Sequence, residues 1–328
     1  MQAAWFDKFG PASEVLTVGE QPTPDIEAGQ VLVRLHASGV NPSDVKKRAG
    51  SFPDLLDNGF VIPHSDGAGV IEAVGSGVPA NRVGERVWVY QAQYGRRFGT
   101  AAECVAIDSA RAVPLPDNTG FDVGACLGIP AMTAHRCVFA DGSVNGQTAL
   151  VTGGAGRVGY YAIQWAKQAG ATVIATASNP VDENACRDAG AAAVVNHRDP
   201  DWSSAVLEAN GDQPVDRVID VDFGANLPEV LKLIRTSGTI ASYASMQNPE
   251  PTLPFLRMMY MDLTVRLVIV YAMPEAAKEH AVKDISEKLA SGDLKHRVAH
   301  TLPLPDIATA HELIEQGGFR GCVLVNLD

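Results

Sequence analysis

The stretch Val151–Gly170, VTGGAGRVGYYAIQWAKQAG, decides the fold of the chain that contains it. It places four glycines within seven positions and then continues as an amphipathic segment with helical spacing. Gly154, Gly156 and Gly159 form the pattern G-x-G-x-x-G, and the strand-like TALVTG precedes them. In that setting the pattern predicts a strand, a tight turn and a helix whose N-terminus binds the diphosphate of a dinucleotide.

Each glycine of the pattern has an expected role. Gly154 is expected to allow the tight turn, Gly156 to let the backbone approach the diphosphate, and Gly159 to let the helix pack against the strand. The intervening residues belong to the same predicted binding loop: Ala155, Arg157 and Val158. The Arg157 side chain is interpreted either as a phosphate ligand or as a solvated surface group.

The pattern of predicted strands and helices changes about a third of the way along the chain. Residues 1–122 contain short strand-like segments separated by Gly and Pro, such as QVLVRLHASGV and ERVWVY, which predict a barrel or sandwich. Residues 123–267 alternate strand and helix patterns, which predict a doubly wound parallel sheet. Residues 268–328 are interpreted as a segment that returns to complete the first domain. The fold class is therefore α/β.

The composition limits the function classes. The chain has 328 residues, 46% hydrophobic and 20% charged, which indicates a globular protein with two cores. A net charge of -12 argues against nucleic acid as a partner, because phosphate binding needs a basic surface. No transmembrane span and no leader is expected. Five scattered cysteines without a C-x-x-C pair are typical of a reducing, cytoplasmic location.

The second strand of the alternating region indicates which dinucleotide is bound. An NAD site usually ends this strand in Asp or Glu, which accepts from the ribose 2′-hydroxyl. Here the strand TVIATASNP offers Ala177, Ser178 and Asn179 instead. Because no carboxylate repels a 2′-phosphate, and Ser178 and Asn179 can donate to it, NADP(H) is the favoured cofactor. The alternative is that these are ordinary loop residues.

Several further stretches match one known family. They include HASGVNPSDVKKRAG, IPHSDGAGVIEAVGSGV, VGERVWV and GAGRVGYYAIQWAKQAGATVIATA. The chain resembles the medium-chain dehydrogenase/reductase superfamily, and most of all its zeta-crystallin-type NADPH:quinone oxidoreductases. The resemblance implies a GroES-like barrel completed by the C-terminal segment, with a Rossmann nucleotide domain inserted. It also implies a homodimer in which edge strands of the nucleotide sheets pair.

The stretches that hold catalytic zinc in related alcohol dehydrogenases differ here. Where those enzymes have Cys in G-V-C-x-x-D and His in G-H-E, this chain has Asn41 and Ser65. His64 and Cys126 are neighbouring donors, but catalytic zinc needs three converging ligands. The loop Tyr94–Cys104 contains one cysteine, so the four-cysteine structural zinc site is missing too. A zinc-free enzyme is predicted, with no metal ligands.

Without a Lewis acid, the expected hydride acceptors are already electron-poor, namely quinones and α,β-unsaturated carbonyls. The resemblance places Asn41 and Thr133 near the nicotinamide, with Asp44 fixing the loop. Asn41 is a candidate donor to a developing oxyanion. Phe52 occupies a position where many relatives carry Tyr, so a phenol proton donor is missing there.

The 2′-phosphate partners of some relatives are also replaced. Asp182 has the wrong charge to bind a phosphate, so His197 and Arg198 are the predicted substitutes, with Arg187 as another candidate. The predicted function is NADPH-dependent quinone reduction. The alternatives are reduction of enone or alkenal C=C bonds, and a non-catalytic NADPH-binding role of the crystallin or RNA-binding kind.

Overall fold

The computed structural model describes residues 1–328, which form two compact units. Unit 1 comprises Met1–Ile129 and Val282–Asp328, and unit 2 comprises Pro130–Ala281. No helix of the protein is both long enough and apolar enough to cross a membrane.

Unit 1 is built around a seven-stranded, mostly antiparallel sheet. Its strands, together with a separate β1–β2 hairpin, are β1 (Gln2–Trp5), β2 (Thr17–Glu20), β3 (Gln30–Val40), β4 (Asp66–Val74), β5 (Arg86–Val89), β6 (Cys104–Asp108), β7 (Ala112–Pro114), β14 (Val298–Pro303) and β15 (Cys322–Asn326). Its helices are α1 (Ala12–Val15), α2 (Pro42–Arg48), α3 (Phe121–Gly124) and α11 (Ile307–Gln316).

The two chain segments of unit 1 share this sheet. The strand order is β14-β15-β3-β4-β5-β7, and β6 also pairs with β3. β15 runs antiparallel to the end of β3, with Val323 opposite Val40 and Asn326 opposite Ala37. The C-terminal segment therefore completes the sheet of the first unit.

Unit 2 is a six-stranded parallel sheet with helices on its faces. Its strands are β8 (Thr148–Val151), β9 (Thr172–Ala177), β10 (Ala193–Asn196), β11 (Val215–Asp220), β12 (Ile234–Ser242) and β13 (Thr264–Leu267). Its helices are α4 (Met132–Phe139), α5 (Arg157–Gln168), α6 (Pro180–Ala189), α7 (Trp202–Ala209), α8 (Phe223–Leu233) and α9 (Phe255–Tyr260), followed by α10 (Glu275–Ser291), in which unit 2 ends.

The strands of unit 2 are all parallel and lie in the order β10-β9-β8-β11-β12-β13. Successive strands are added to one side of β8 up to β10 and to its other side from β11 onwards, so the switch point lies between β8 and β11. This confirms the predicted doubly wound sheet, whose ligand crevice lies outside the carboxyl ends of the strands at that switch point. Leu150, Ile174, Val218 and Ile240, on four adjacent strands, are all at most 1% exposed. These four residues lie in register on one face, and their neighbours on the opposite face, Val151, Ala175, Ile219 and Ala241, are also completely buried. Burial of both faces explains the near-continuous apolar strand patterns.

The units differ from the division predicted at residues 122 and 267. Unit 2 begins at Pro130 and continues to Ala281. The short helical turn Val270–Ala272 packs against α4, and Val270 and Tyr271 are buried. The chain after β13 therefore still belongs to the core of unit 2.

The Arg217 side chain stabilises the position of α4 in unit 2. This arginine is only 2% exposed, and its guanidinium donates to Val138 O at 2.9 Å and Asp141 O at 3.0 Å. The carbonyl groups at a helix C-terminus have no partners within the helix, so a cation there supplies both hydrogen bonds and a favourable charge. β11 and α4 are thereby joined.

Candidate active site

The glycine turn joins β8 to α5 in unit 2. Gly153, which precedes the G-x-G-x-x-G pattern, has a φ of 59°, whereas Gly154 does not lie in the left-handed region. Gly153 therefore supplies the left-handed conformation of this turn, and Gly154 lies in the same turn without needing that conformation. A Cβ on Gly154 would lie 2.9 Å from Ala175 Cβ and from Cys186 Sγ, so Gly154 is required for packing against β9 and α6.

The other two glycines bring the helix close to the turn. Gly156 is the N-cap of α5, and Arg157, Val158 and Gly159 form its first turn. A Cβ on Gly159 would lie 2.5 Å from Gly153 O, so only glycine allows this approach. The first N–H groups of an α-helix have no partner within the helix, and in this fold the diphosphate of a dinucleotide binds at such a helix start.

Two cavities of unit 2 lie at the carboxyl ends of the strands, on opposite sides of the glycine turn. The cavity at β9 and β10 has a volume of about 250 Å³, and Ser178 and Asn179 both line it. The cavity at β12 and β13 has a volume of about 410 Å³. A dinucleotide lying across a switch point needs space on both sides of the glycine turn, so these cavities fit its two halves.

The predicted 2′-phosphate ligands are only partly brought together. Asn179 is the N-cap of α6, where its Oδ1 accepts from Asp182 N at 2.9 Å and its Nδ2 donates to Asp182 Oδ2 at 2.8 Å. His197 and Arg198 are exposed in the loop after β10 and do not line the 250 Å³ cavity. Of the predicted 2′-phosphate ligands, Ser178 lines the 250 Å³ cavity and is not the N-cap of a helix.

The 410 Å³ cavity was not predicted from the sequence. Tyr243, just after β12, lines it with Phe223, and burial raises the Tyr243 pKa well above its ordinary value. The loop after Tyr243 is fixed by Asp222, whose carboxylate accepts from Met246 N at 2.9 Å and Gln247 N at 3.2 Å. The only sequence signal was the polar run that follows a buried strand.

The catalytic candidates of unit 1 lie at the start of α2. Asn41 is the N-cap residue and is 4% exposed; its backbone N–H donates to Asp44 Oδ2 at 2.8 Å. The Asn41 amide Nδ2 donates to Asp66 Oδ2 at 2.9 Å, a contact that the sequence did not indicate. Phe52 takes no part in these hydrogen bonds, and 47% of its surface is exposed. Thr133 lies in unit 2, buried on α4.

Behind Asp66, a chain of buried hydrogen bonds leads to His311. Thr100 Oγ1 donates to Asp66 O at 2.6 Å, and Ser38 Oγ lies 2.8 Å from both Thr100 Oγ1 and His64 Nδ1. His64 Nε2 then lies 2.9 Å from His311 Nε2. Since the Asp66 carbonyl can only accept, Thr100 accepts from Ser38, and Ser38 accepts from His64 Nδ1–H.

This direction of donation fixes both histidine tautomers. His64 carries its proton on Nδ1, so its Nε2 accepts the proton that His311 carries on Nε2. Burial lowers the pKa of His64 to about 3 and that of His311 well below its ordinary value. Both rings are therefore neutral at physiological pH. His64 also has a φ of 75°, which L-residues rarely adopt.

The side chains at the zinc positions of related alcohol dehydrogenases do not fit a zinc ion. Asn41 and Ser65 offer an amide and a hydroxyl, which are weak zinc ligands. Both ring nitrogens of His64 already take part in hydrogen bonds. A hydrogen bond with Cys322 and burial raise the pKa of the Cys126 thiol well above its ordinary value, so it is not a ready thiolate. The residues at these positions therefore do not form a catalytic zinc site.

Comparisons with known proteins agree with this architecture. Residues 27–175 match the family model described as an alcohol dehydrogenase GroES-like domain, and residues 158–287 match the one described as a zinc-binding dehydrogenase. The first match confirms the GroES-like fold predicted for unit 1. A GroES-like unit joined to a doubly wound nucleotide-binding unit defines a nicotinamide-dependent oxidoreductase.

The whole chain matches a quinone oxidoreductase of Rattus norvegicus, with 29% identity covering 100% of this chain and 98% of the relative. A solved NAD-dependent alcohol dehydrogenase is 28% identical with a TM-score of 0.87, and both chains are covered completely. A mycobacterial structure complexed with NADPH is 27% identical with a TM-score of 0.87, covering 99% of this chain and 100% of that one. The two family models together span residues 27–287, and on that basis the chain belongs to the medium-chain dehydrogenase/reductase family.

Proposed function

We propose that this enzyme reduces quinones with NADPH and uses no metal ion. The observation that carries the proposal is the donor set in unit 1. Asn41 stands where zinc relatives have a thiolate ligand, and its amide is held by Asp66 at 2.9 Å. Since no Lewis acid polarises the acceptor, the acceptor must itself be electron-poor, and quinones meet that requirement.

Bound NADPH supplies a hydride, which together with one proton converts a quinone to a hydroquinone. The residues of the chain bind and orient the reactants. The N-terminus of α5 binds the diphosphate, and the glycines of the turn keep side chains out of its way. The Asn41 amide has a second N–H besides the one that Asp66 accepts. This N–H is the proposed donor to the oxygen on which negative charge develops.

The preference for NADPH is supported by the charges around the 250 Å³ cavity. Glu183 lines this cavity, but its carboxylate pairs with Arg187 at 2.8 Å. Arg198 does not line the cavity itself, but it follows Asn196, which does, and its exposed side chain is the proposed cation for the 2′-phosphate. Replacing Arg198 by Ala is expected to raise KM for NADPH about tenfold, because a charge-assisted hydrogen bond is lost, and to leave KM for NADH unchanged. Equal changes for both cofactors would contradict this assignment.

The proposed reaction is tested by following NADPH oxidation with para-benzoquinone and with a panel of enones. We expect quinone turnover to exceed enone turnover and to persist after dialysis against a chelator. Activity that disappears on chelation and returns with zinc would contradict the metal-free assignment. Turnover of enones alone would contradict the quinone assignment.

The Tyr243 hydroxyl favours enone reduction as a second candidate. Tyr243 lines the 410 Å³ cavity, and its phenol is a proton donor of the kind that Phe52 lacks. Reducing a C=C bond needs a hydride at one carbon and a proton at the other. A Tyr243→Phe variant would then lose enone turnover and keep quinone turnover. Equal effects on both substrates would remove the support for this candidate.

We also propose that two copies pair through β13. This strand is at the edge of the unit 2 sheet, so one side of its backbone has no strand partner. Leu267 is 73% exposed and Ile269 is 56% exposed, and nearby α9 exposes Phe255 and Tyr260. An exposed edge beside an apolar surface of this kind fits a second copy of the chain.

A further inference from the structure

Asp66, the first residue of β4, is completely buried, and its two carboxyl oxygens differ in their surroundings. Oδ2 accepts from Asn41 Nδ2 at 2.9 Å and from Ile129 N at 2.8 Å. Oδ1 has no hydrogen-bond partner and is shielded from solvent. A Cβ on Gly128 would lie 2.1 Å from Oδ1, so this oxygen lies against the glycine backbone.

This asymmetry distinguishes between the two protonation states of Asp66. An ionised carboxylate offers about four acceptor sites over both oxygens. Leaving one charged oxygen buried without any donor is costly. In a neutral acid with its proton on Oδ1, both N–H groups donate to the carbonyl oxygen Oδ2, and the unpaired Oδ1 hydroxyl costs less than an unpaired charged oxygen. The geometry therefore fits the neutral acid.

The charges around Asp66 act in both directions. The pKa of Asp66 is raised to about 8: burial and the negative charge of Asp44 on α2 raise it, whereas the two N–H donors and Lys47 lower it. Lys47 is itself buried, and its Nζ donates to Gln93 O at 2.6 Å. The other titratable neighbour is the Cys126 thiol, which Asp66 affects electrostatically. At physiological pH most Asp66 side chains are neutral.

We propose that Asp66 is a positioning residue that acts as a neutral carboxylic acid. Its Oδ2 orients the Asn41 amide so that the second N–H faces the substrate oxygen. Its proton keeps a buried negative charge away from the place where hydride transfer generates one. This role rests on the proposed function of Asn41 as an oxyanion donor.

The proposal gives a specific pH dependence. When Asp66 ionises, the carboxylate repels the oxyanion that forms on the substrate, so transfer slows. For the wild type, kcat/KM for quinone is expected to fall about tenfold for each pH unit above the ionisation of Asp66. In Asp66→Asn, the amide oxygen replaces Oδ2, and the side chain at position 66 no longer ionises. This variant is expected to keep its activity at neutral pH within about threefold and to lose the alkaline fall.

The experiment measures these pH profiles for wild type, Asp66→Asn and Asp66→Ala. The Ala variant removes the acceptor, so its kcat is expected to fall at every pH while KM for NADPH is unchanged. An alkaline fall that persists in Asp66→Asn would overturn the proposal. So would a loss of neutral-pH activity in Asp66→Asn as large as in Asp66→Ala.

Infrared spectroscopy of the wild type tests the protonation state independently of turnover and of variant folding. We expect a carbonyl stretch of a buried carboxylic acid at neutral pH that disappears near pH 8. Its absence at neutral pH would overturn the proposal. Failure of the proposed function is distinguishable, because the wild type would then not reduce quinones, or Asn41→Ala would leave quinone turnover unchanged.

Discussion

At the scale of single residues, His64 combines backbone strain with buried hydrogen bonds. Its φ of 75° is unfavourable for an L-residue, yet its ring bridges Ser38 and His311 at 2.8 Å and 2.9 Å. The left-handed conformation costs about 1–2 kcal/mol, and two buried hydrogen bonds offset a cost of this size. The hydrogen-bond chain explains why a histidine is tolerated at a position suited to glycine.

Two substitutions at His64 separate the effect of its strained backbone on protein stability from the effect of its ring. Both His64→Ala and His64→Gly remove the ring, leaving Ser38 and His311 with a lost partner, so both variants are expected to be less stable than the wild type. Glycine also relieves the strain, so His64→Gly should be about 1 kcal/mol more stable than His64→Ala. Urea denaturation measures both. Equal stability of the two variants would show that the backbone is not strained.

The His64–His311 pair also predicts a loss of stability in acid. Burial lowers both pKa values, so the unfolded state binds protons first as the pH falls. Below the ordinary histidine pKa of about 6.5 the free energy of unfolding therefore decreases, until His64 itself protonates at about pH 3. In His64→Gly with His311→Asn this dependence should be weaker. Denaturation at several pH values measures the slope, and an unchanged slope would contradict the assignment.

The family resemblance of the stretch N-P-S-D predicts Asn41 and Asp44 as site residues. The structure places both at the start of α2, and their roles stay predictions. Asp66 was not identified, because its contact with Asn41 depends on the pairing of β3 with β4 rather than on sequence distance. The role of Gly153 was missed as well, since a left-handed φ is a property of the folded turn.

At the scale of elements, the glycine turn provides a test of cofactor binding. Gly156 has φ -68° and ψ 169°, which any residue can adopt, and the atom closest to an added Cβ would be Gly153 O at 3.1 Å. Gly156→Ala is therefore expected to fold normally. The added methyl group stands where the diphosphate approaches, so NADPH binding should weaken at least about tenfold. Fluorescence titration measures this, and unchanged affinity would place the diphosphate elsewhere.

The loop after β12 provides a second test at this scale. Asp222 accepts from the backbone N–H groups of Met246 and Gln247 and so fixes the rim of the 410 Å³ cavity. Asp222→Ala leaves these groups without an acceptor and is expected to cost about 1–3 kcal/mol and to raise KM for quinone. Asp222→Asn, which keeps one oxygen acceptor, is the matched control. An Ala variant with the same KM as the Asn variant would separate this loop from substrate binding.

The sequence predicts the strands and helices of unit 2 better than it predicts the cavities that lie between them. The strand and helix alternation of unit 2 is visible in the sequence because parallel strands buried on both faces are continuously apolar. The 410 Å³ cavity is not visible, because a loop of irregular backbone forms it and the hydrogen bonds of Asp222 set the position of that loop.

At the scale of the whole molecule, the proposed pairing through β13 is tested by a charge placed on that edge. Leu267 and Val181 are each 73% exposed, the first on β13 and the second on α6. Light scattering should show a dimer for the wild type and for Val181→Lys, and a monomer for Leu267→Lys. A dimer in all three would contradict pairing through β13. Since each chain has a net charge of -12, we expect the proposed dimer to be weaker at low ionic strength.

The position of β15 between β14 and β3 has a consequence for biosynthesis. During translation, the whole of unit 2 is synthesised before β15 (Cys322–Asn326). Until β15 is made, one side of the backbone of Ala37–Val40 in β3 has no strand partner. A nascent chain with an open strand edge is prone to aggregation and is a natural client for chaperones. Because Asn41, the proposed oxyanion donor, directly follows that half-strand, we expect activity to appear only after β15 has docked.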